Sequence, residues 1–246
     1  MTEGSIVVVG GTRAIGREIV RHYVEAGEDV VLTGRDQGTI DAAVAEFGGR
    51  ARGVRFDLAE PTRIAAALGD VGPVRRLVLV AIDRDSNTID DYDIELAVRL
   101  VTLKLVGYTE VIHTLRTRLT GDASIVLFGG MAKERPYPGS TTVSTVNGGV
   151  VGLARSLVSE LRPLRINTIH PGIVGDSPYW HDKPAAIARA ASQTPTGRLA
   201  RMEDIVGAVV FLLENEAMNG FELMVDGGWH TGILALSEPA QGQPQP

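Results

Sequence analysis

A glycine-rich run near the start of the chain has the composition of a phosphate-binding turn. Residues 10–16 read GGTRAIG and directly follow four β-branched residues at 6–9, which are expected to form a buried strand. Glycines let the backbone approach a pyrophosphate, and the N-terminus of a following helix offers unpaired N–H groups and a partial positive charge. An ordinary strand-to-helix turn also explains the glycines, but the strand before and the apolar helical spacing after favour nucleotide binding. We therefore predict a phosphate site that contains Gly10, Thr12, Arg13, Ile15 and Gly16.

A second group of residues indicates which nucleotide binds. At the end of the second strand of a dinucleotide fold, an acidic side chain would bind the ribose 2′-hydroxyl. This chain instead has Gly34, which leaves space, and Arg35, which offers two parallel donors to a 2′-phosphate. Arg13 would add a second positive charge, so NADP(H) is favoured, although both arginines also fit a solvated surface. Asp57, after the third strand, is expected to accept from the adenine amino group, to cap the next helix, or both.

The bulk composition excludes several classes of protein. The chain has 246 residues, 44% of them hydrophobic and 22% charged, which fits one globular α/β domain. A net charge of −6 with interspersed signs shows no nucleic-acid footprint, and no apolar run reaches the length of a membrane span. The absence of cysteine excludes disulfides and thiolate metal sites, and no other spacing matches a metal site. We expect a cytoplasmic protein with a small-molecule substrate and neither nucleic-acid nor membrane partners.

Apolar strand patterns alternate with amphipathic helix patterns along the chain. This alternation predicts a parallel sheet with helices on both faces. The strands are predicted at 5–9, 29–33, 51–56, 76–81, 124–128, 165–169 and 222–225. The helices are predicted at 14–26, 39–47, 61–68, 89–119, 141–161, 184–191 and 202–213. The last stretch, 237–246, is of low complexity and is predicted to be a flexible tail.

Five segments together resemble a known family along nearly the whole chain. They read VVVGGTRAIG, LVLVA, SIVLF, GLARSLVSELRPLRINTIHPG and GRLARMEDIVGAVVFLLENEAMNGFELMVDGG. In this order and spacing they are similar to a single-domain short-chain dehydrogenase/reductase, with the domain spanning residues 1–236. The resemblance implies a seven-stranded, doubly wound Rossmann fold, a homodimer or homotetramer, and hydride transfer between NAD(P)(H) and a carbonyl or alcohol carbon. It also adds Leu58, Ala81 and Asn147 to the cofactor-binding residues.

The reactive end of the site departs from this family. The family tyrosine and lysine of a Tyr-x-x-x-Lys pair fall on Val143 and Asn147, and neither residue can donate a proton or lower a neighbouring pKa by its charge. The family serine falls on Gly130, the water-relay asparagine on Thr102 or a neighbour, and the threonine after Pro171-Gly172 on Asp176. We therefore interpret the Tyr-x-x-x-Lys pair, and the longer Tyr-x6-Lys spacing of related enoyl reductases, as missing from the chain.

Three hypotheses for the function remain open at this point. The first is an atypical NADP(H)-binding oxidoreductase, in which Tyr137, His170 or Asp176 are candidate substitutes for the missing proton donor. The second is a non-redox enzyme on the same scaffold, such as a cyclase, isomerase or dehydratase. The third is a catalytically silent subunit that forms a hetero-oligomer with an active relative. Family chemistry and the intact phosphate turn favour the first hypothesis.

Overall fold

A parallel sheet of seven strands forms the centre of the computed structural model, which describes residues 4–231. The order across the sheet is β3-β2-β1-β4-β5-β6-β7, so the chain runs outward from β1 in one direction and then returns to run outward in the other. This is the doubly wound arrangement predicted from the sequence. The strands are β1 (Ser5–Val9), β2 (Val30–Gly34), β3 (Ala51–Arg55), β4 (Val74–Leu79), β5 (Leu119–Phe128), β6 (Arg165–Pro171) and β7 (Glu222–Val225).

Helices cover both faces of the sheet and create two apolar cores. Helices α1, α2 and α8 pack on one face, and α3, α4, α5 and α6 pack on the other. Central strands such as β1 contribute side chains alternately to the two cores and are therefore apolar throughout. The helices are α1 (Ala14–Glu25), α2 (Gln37–Phe47), α3 (Ile64–Ala67), α4 (Ile94–Val101), α5 (Tyr108–Leu115), α6 (Thr141–Glu160), α7 (Pro184–Ser192) and α8 (Met202–Glu214).

The segment predicted as one long helix at 89–119 differs most from expectation. The helix begins at Ile94, because the Asp93 side chain accepts from the backbone N–H groups of Glu95 and Leu96 and caps it there. A π-helical turn, Thr102–Gly107, joins α4 to α5 without a break. The prediction also overran the end of the helix, since Leu119 already belongs to β5. The π turn matters for the site, because it adds a residue to the turn and rotates the side chains that follow.

The topology places a crevice at the carboxyl end of the sheet. Strands β2 and β4 lie on either side of β1. The chain leaves β1 toward β2 and leaves β4 toward β5, so the two connections diverge and leave a gap between them. Residues 237–246, predicted as a tail, lie outside the described residues. In the part of the chain that the structure describes, none of the helices combines the length and apolar character needed to cross a membrane.

Candidate cofactor and substrate cleft

One cleft of about 930 Å³ runs along the carboxyl ends of the strands, a volume at the upper end of the usual range for ligand pockets. It joins the glycine turn at one end to the start of α6 and the segment after β6 at the other. The residues predicted from the sequence that line it are Gly10, Thr12, Arg13, Ile15, Gly16, Arg35, Asp57, Leu58, Ala81, Gly130, Tyr137, Val143 and Asn147. Their contact with a cofactor stays a prediction. Thr102, His170 and Asp176 do not line the cleft.

The glycine turn is held by close backbone packing. A Cβ at Gly16 would lie 2.0 Å from the carbonyl oxygen of Gly10, so only glycine fits at the start of α1. Gly10, the first residue after β1, has a φ of +94°, and a Cβ there would lie 2.8 Å from Ala81, the second residue after β4. Arg13 precedes α1 with extended backbone and no side-chain cap, which leaves the first N–H groups of the helix facing the cleft.

A chain of ion pairs crosses the adenosine end of the cleft. Arg35 Nη1 lies 2.8 Å from Asp83 Oδ2, and Arg99 Nε lies 3.0 Å from the same oxygen. Arg99 Nη2 in turn contacts Asp57 Oδ2 at 2.8 Å. This network is not readable from the sequence, because Asp83 and Arg99 come from separate elements of the chain. It means that the Arg35 guanidinium already has an anionic partner, with which a 2′-phosphate would compete.

Two expectations for this end need refinement. The Asp57 carboxylate accepts from Arg99 and, at 2.9 Å, from the backbone N–H of Ala59, so capping is observed and an adenine amino group would have to share an oxygen. Although burial opposes ionisation, the hydrogen bond from Arg99 lowers the pKa of Asp57. Gly34 does more than leave space for a ligand: a Cβ there would lie 2.9 Å from the Thr12 methyl group, so glycine allows the phosphate turn to pack on β2.

His170 has a structural position rather than the catalytic one considered from the sequence. Its Nδ1 accepts from the backbone N–H of Gly130 at 3.2 Å, which leaves Nε2 to donate to Thr168 Oγ1 at 3.1 Å. The ring packs so closely on the turn after β5 that a Cβ at Gly129 would lie 2.3 Å from Nδ1. Burial, with a smaller effect of the Lys133 charge, lowers the pKa of His170 to about 4.

This burial predicts a pH-dependent stability. The unfolded His170 takes up a proton near pH 6.5 and the folded one only near pH 4, so stability falls as the pH is lowered through this window, by up to roughly 3 kcal/mol. We expect the thermal midpoint of the wild type to fall more steeply from pH 7 to 4 than that of His170→Asn, which keeps an acceptor for Gly130. His113→Asn, at an exposed position on α5, is the control and should keep the wild-type slope. Equal slopes for wild type and His170→Asn would contradict the structural role.

Gly130, Val143 and Asn147 lie together at the inner end of the cleft, as their family positions imply. A Cβ at Gly130 would lie 2.7 Å from Asn147 Nδ2, so the small residue leaves room for the asparagine side chain. Asn147 is buried, and its Oδ1 has no hydrogen-bond partner among residues 4–231. Trp229 Nε1, also at the cleft, is a buried donor in the same condition. Unpaired buried polar atoms are unfavourable, so both are available to a ligand.

Lys104, rather than Thr102, faces the cleft from the long helix, which corrects the expectation for the family asparagine. The π turn brings Lys104 to the wall of the cleft while Thr102 points elsewhere. The side chain is fully buried, and Nζ donates to Tyr108 Oη at 3.0 Å; the Tyr108 hydroxyl donates to the Ala81 carbonyl at 2.7 Å. Burial, with a smaller effect of the Arg84 charge, lowers the pKa of Lys104 to about 7.

The two other candidate proton donors have mainly structural contacts. Asp176 Oδ1 accepts from the backbone N–H of Met202 at 2.8 Å and stabilises the start of α8, whereas its neighbour Ser177 lines the cleft. Sequence reasoning missed Ser177 because the backbone direction after β6 is not readable from spacing. Tyr137 lines the cleft from a loop closed by Ser140, and burial raises the pKa of its hydroxyl, which makes it a weaker acid.

One interpretation from the sequence is wrong: a Tyr-x-x-x-Lys spacing does occur in the chain, at Tyr179 and Lys183. It lies after β6 instead of on α6, and Tyr179 lines the outer part of the cleft. Lys183 Nζ lies 3.6 Å from the centroid of the tyrosine ring, and Arg84 Cζ lies 4.1 Å from it. A hydrogen bond with Lys183 and the proximity of Arg84 lower the pKa of Tyr179. The Tyr179 side chain is 49% exposed, unlike the buried inner end.

Comparison with known proteins finds similarity to proteins named as reductases and to one named as an inactive dehydrogenase. A family model described as enoyl-(acyl carrier protein) reductase matches residues 9–230. A mouse (Mus musculus) 3-oxoacyl-[acyl-carrier-protein] reductase is 28% identical over 228 residues, which are 90% of this chain and 95% of that protein. The inactive 2-(S)-hydroxypropyl-CoM dehydrogenase 2 of Xanthobacter autotrophicus (strain ATCC BAA-1158 / Py2) is 29% identical over 85% of this chain and 98% of its own length.

A solved structure supports the same fold. The blue fluorescent protein from a metagenomic library, in complex with NADPH, superposes with a TM-score of 0.82. The match covers 93% of this chain and 98% of the other, at 24% sequence identity. At this level of identity the likeness shows a shared Rossmann-like architecture, in agreement with the strand order of the sheet.

Proposed function

Because the chain belongs to the short-chain dehydrogenase/reductase family, we propose that it binds NADP(H) in the cleft and transfers hydride to or from a small-molecule substrate. The family is one of oxidoreductases, and the reductase names of the relatives and the NADPH-bound structure that shares the fold favour this reading. The reaction proceeds without a tyrosine donor at the family position, because Val143 stands there. General acid catalysis contributes about 10²–10⁴ in rate, so hydride transfer survives its loss at a reduced rate.

The observation that carries the proposal is the continuity of the cleft. The glycine turn, with Arg13 and Arg35 beside it, opens into the same cavity as the nicotinamide positions of the family, here Val143 and Asn147. Two guanidinium groups favour a 2′-phosphate, since Arg pairs with phosphate through parallel hydrogen bonds. Asp36, the acidic residue next to Arg35, is not free to select a 2′-hydroxyl: its carboxylate accepts from Thr39 N–H at 2.8 Å and caps α2.

Direct titration tests the cofactor assignment. NADPH is added to the purified protein while its fluorescence and the heat of binding are recorded, and NADH is titrated in parallel. We expect NADPH to bind at least about tenfold more tightly, the contribution of one charge-assisted contact to the 2′-phosphate. Binding of neither dinucleotide would overturn the proposed function, and equal affinities would overturn the choice of NADP(H). Turnover that needs no nucleotide would instead support a cyclase, isomerase or dehydratase.

We further propose that the protein is a homodimer or homotetramer. Helix α4 exposes large apolar side chains that the two cores do not use: Ile94 is 65% exposed and Val98 58%. Light scattering on the purified chain tests this. A monomer that co-purifies from its native host with an active relative would favour the silent-subunit hypothesis, which the inactive Xanthobacter relative makes worth testing.

A further inference from the structure

We propose that Lys104 is the catalytic acid of the cleft, and that its ammonium group gives a proton to the substrate oxygen while hydride is added to the carbonyl carbon. This inference rests on the proposed NADP(H)-dependent hydride transfer. It assigns the role of the missing tyrosine to a residue on the opposite wall of the cleft, on the long helix instead of on α6.

The position of Lys104 is fixed by contacts with the inner end of the cleft. Its side chain has no solvent exposure and yet lines the cavity. Through Tyr108 it is connected to the carbonyl of Ala81, two residues after the end of β4. Its positive charge also acts on His170, whose Nδ1 is bound to the N–H of Gly130. The amine therefore lies near the ends of β4 and β5, where Gly130 replaces the family serine.

The hydrogen-bond pattern leaves protons of the amine free for a substrate. The Tyr108 hydroxyl uses its own proton on the Ala81 carbonyl, so it accepts a single N–H from Lys104. In residues 4–231 no other hydrogen bond of Nζ is observed, and an ammonium group has three N–H donors. Tyr108 thus acts as a positioning residue that fixes the amine, and Lys104 lines the cleft with N–H groups that no other residue in 4–231 accepts.

The choice of residue type is informative. Only three of the 24 basic residues of the chain are lysines, and the rest are arginines. Arginine keeps its proton under all ordinary conditions, whereas a buried lysine can release one near neutral pH. A basic group that only had to bind an anion would be served by arginine, as at Arg13 and Arg35. The buried basic residue that lines the cleft is a lysine, which, unlike arginine, can exchange a proton near neutral pH.

The charges around Lys104 keep both of its protonation states accessible. Arg84, from the segment after β4, disfavours the ammonium form, and burial acts in the same direction. His170 of β6 is neutral at working pH because its own pKa is about 4. Helix α6 contributes Val143 and Asn147, which do not titrate. Tyr108, at the start of α5, stays protonated because burial raises its pKa. With a pKa of about 7, Lys104 is both donor and acceptor near neutrality.

The proton balance of the step is simple. Bound NADPH would supply the hydride to the carbonyl carbon and would be left as NADP⁺. As the C=O π bond breaks, the Lys104 ammonium gives its proton to the substrate oxygen. The product is an alcohol, and after it leaves, water that enters the cleft returns a proton to the neutral amine before the next cycle. A covalent imine between Lys104 and the substrate is excluded as a catalytic intermediate, because hydride addition to it would leave an alkylated amine that cannot turn over.

Tyr179 is the alternative proton donor, and it differs from Lys104 in how far its side chain is exposed to water. Its pKa is lowered by Lys183 and Arg84, but the side chain is half exposed in the segment after β6, where water competes for the substrate oxygen. Lys104 lies in a water-excluded position at the inner end. The variants Lys104→Met and Tyr179→Phe therefore distinguish a donor on the long helix from one on the outer segment.

The experiment compares two probe substrates with NADPH. Reduction of 4-nitrobenzaldehyde yields a benzylic alkoxide, which needs a proton donor. Hydride addition to a carbonyl carbon of 9,10-phenanthrenequinone yields an alkoxide beside the remaining ketone, which is a weaker base. For Lys104→Met we expect kcat with the aldehyde to fall about 10²–10⁴-fold and kcat with the quinone to fall much less. Tyr179→Phe should retain aldehyde reduction, and Lys133→Met, a lysine outside the cleft, serves as the matched control. NADPH titration is performed on each variant before substrate is added.

A second measurement does not depend on turnover. With lysine labelled with ¹³C and ¹⁵N, three side-chain amines give resolvable signals, assigned by Lys104→Met, Lys133→Met and Lys183→Met. We expect the Lys104 signal to titrate near neutral pH and the aldehyde kcat of the wild type to decline above the same pH. An ordinary lysine titration at Lys104 would overturn the inference.

The remaining outcomes are equally decisive. Equal losses with aldehyde and quinone in Lys104→Met, unchanged aldehyde reduction in that variant, or a large loss confined to Tyr179→Phe would each contradict the assignment. A wild-type protein that binds NADPH but reduces neither probe would also contradict the assignment of Lys104 as the proton donor. If the wild type does not bind NADPH, the titration reveals this first: the proposed function is then wrong, and the proton-donor role falls with it.

Discussion

Replacing Gly16 with alanine is expected to abolish dinucleotide binding and to destabilise the protein by about 3 kcal/mol or more. The new Cβ would lie 2.0 Å from the Gly10 carbonyl oxygen, which is a backbone atom. Gly10 cannot retreat easily, because it packs on Ala81 on its other side. The start of α1 would therefore move away from β1, and the N–H groups at the N-terminus of α1 would no longer point at the pyrophosphate.

Thermal unfolding and NADPH titration of Gly16→Ala measure this effect. The matched control is Gly207→Ala on α8, where a Cβ would meet no atom within 4 Å. Alanine there should stabilise the helix by about 0.5–1 kcal/mol and leave binding unchanged. A Gly16→Ala protein with the wild-type midpoint and affinity would show that the turn does not have the close packing described above.

The substitution Arg35→Glu is expected to weaken NADPH binding by roughly a hundredfold or more and NADH binding by far less. It removes a charge-assisted contact to the 2′-phosphate, worth about 1.5–3 kcal/mol, and adds repulsion. The new carboxylate would also lie near Asp83, the present partner of Arg35. Titrations of both dinucleotides give the discrimination ratio. Equal weakening of the two would refute the assignment of the 2′-phosphate to Arg35.

Two further variants test whether the effect of Arg35→Glu is specific to the 2′-phosphate. Asp83→Asn frees Arg35 from its partner and should strengthen NADPH binding up to about fivefold, since a partly exposed ion pair contributes at most about 1 kcal/mol. Arg50→Glu makes the same charge change just before β3, at the amino ends of the strands, and should leave the NADPH to NADH ratio unaltered. A ratio that shifts as much in Arg50→Glu as in Arg35→Glu would indicate a general charge effect.

The fold was largely predictable from the sequence, because it depends on local patterns. Continuous apolar runs identified all seven strands, and β1 and β7 have the predicted bounds. The glycine run correctly predicted the turn between β1 and α1, since a strand, a glycine turn and a helix in succession leave few other conformations. The family positions Gly130, Val143 and Asn147 do lie together at the cleft. The errors in the elements lay at their ends, such as the capped start of α4 at Ile94, and in the π turn inside the predicted long helix.

The chemistry of the cleft was decided by the tertiary structure. Which side chain of the long helix faces the cavity depends on the π turn, and this rotation selects Lys104 over Thr102. A single-residue difference in backbone direction likewise turns Ser177 inward and Asp176 toward α8. The partnership of Arg35 with Asp83 joins residues 48 positions apart. Composition and spacing determined that this chain folds with a glycine turn between β1 and α1 at the centre of a parallel sheet. Side-chain direction and long-range contacts, which only packing fixes, determined which groups line the cleft.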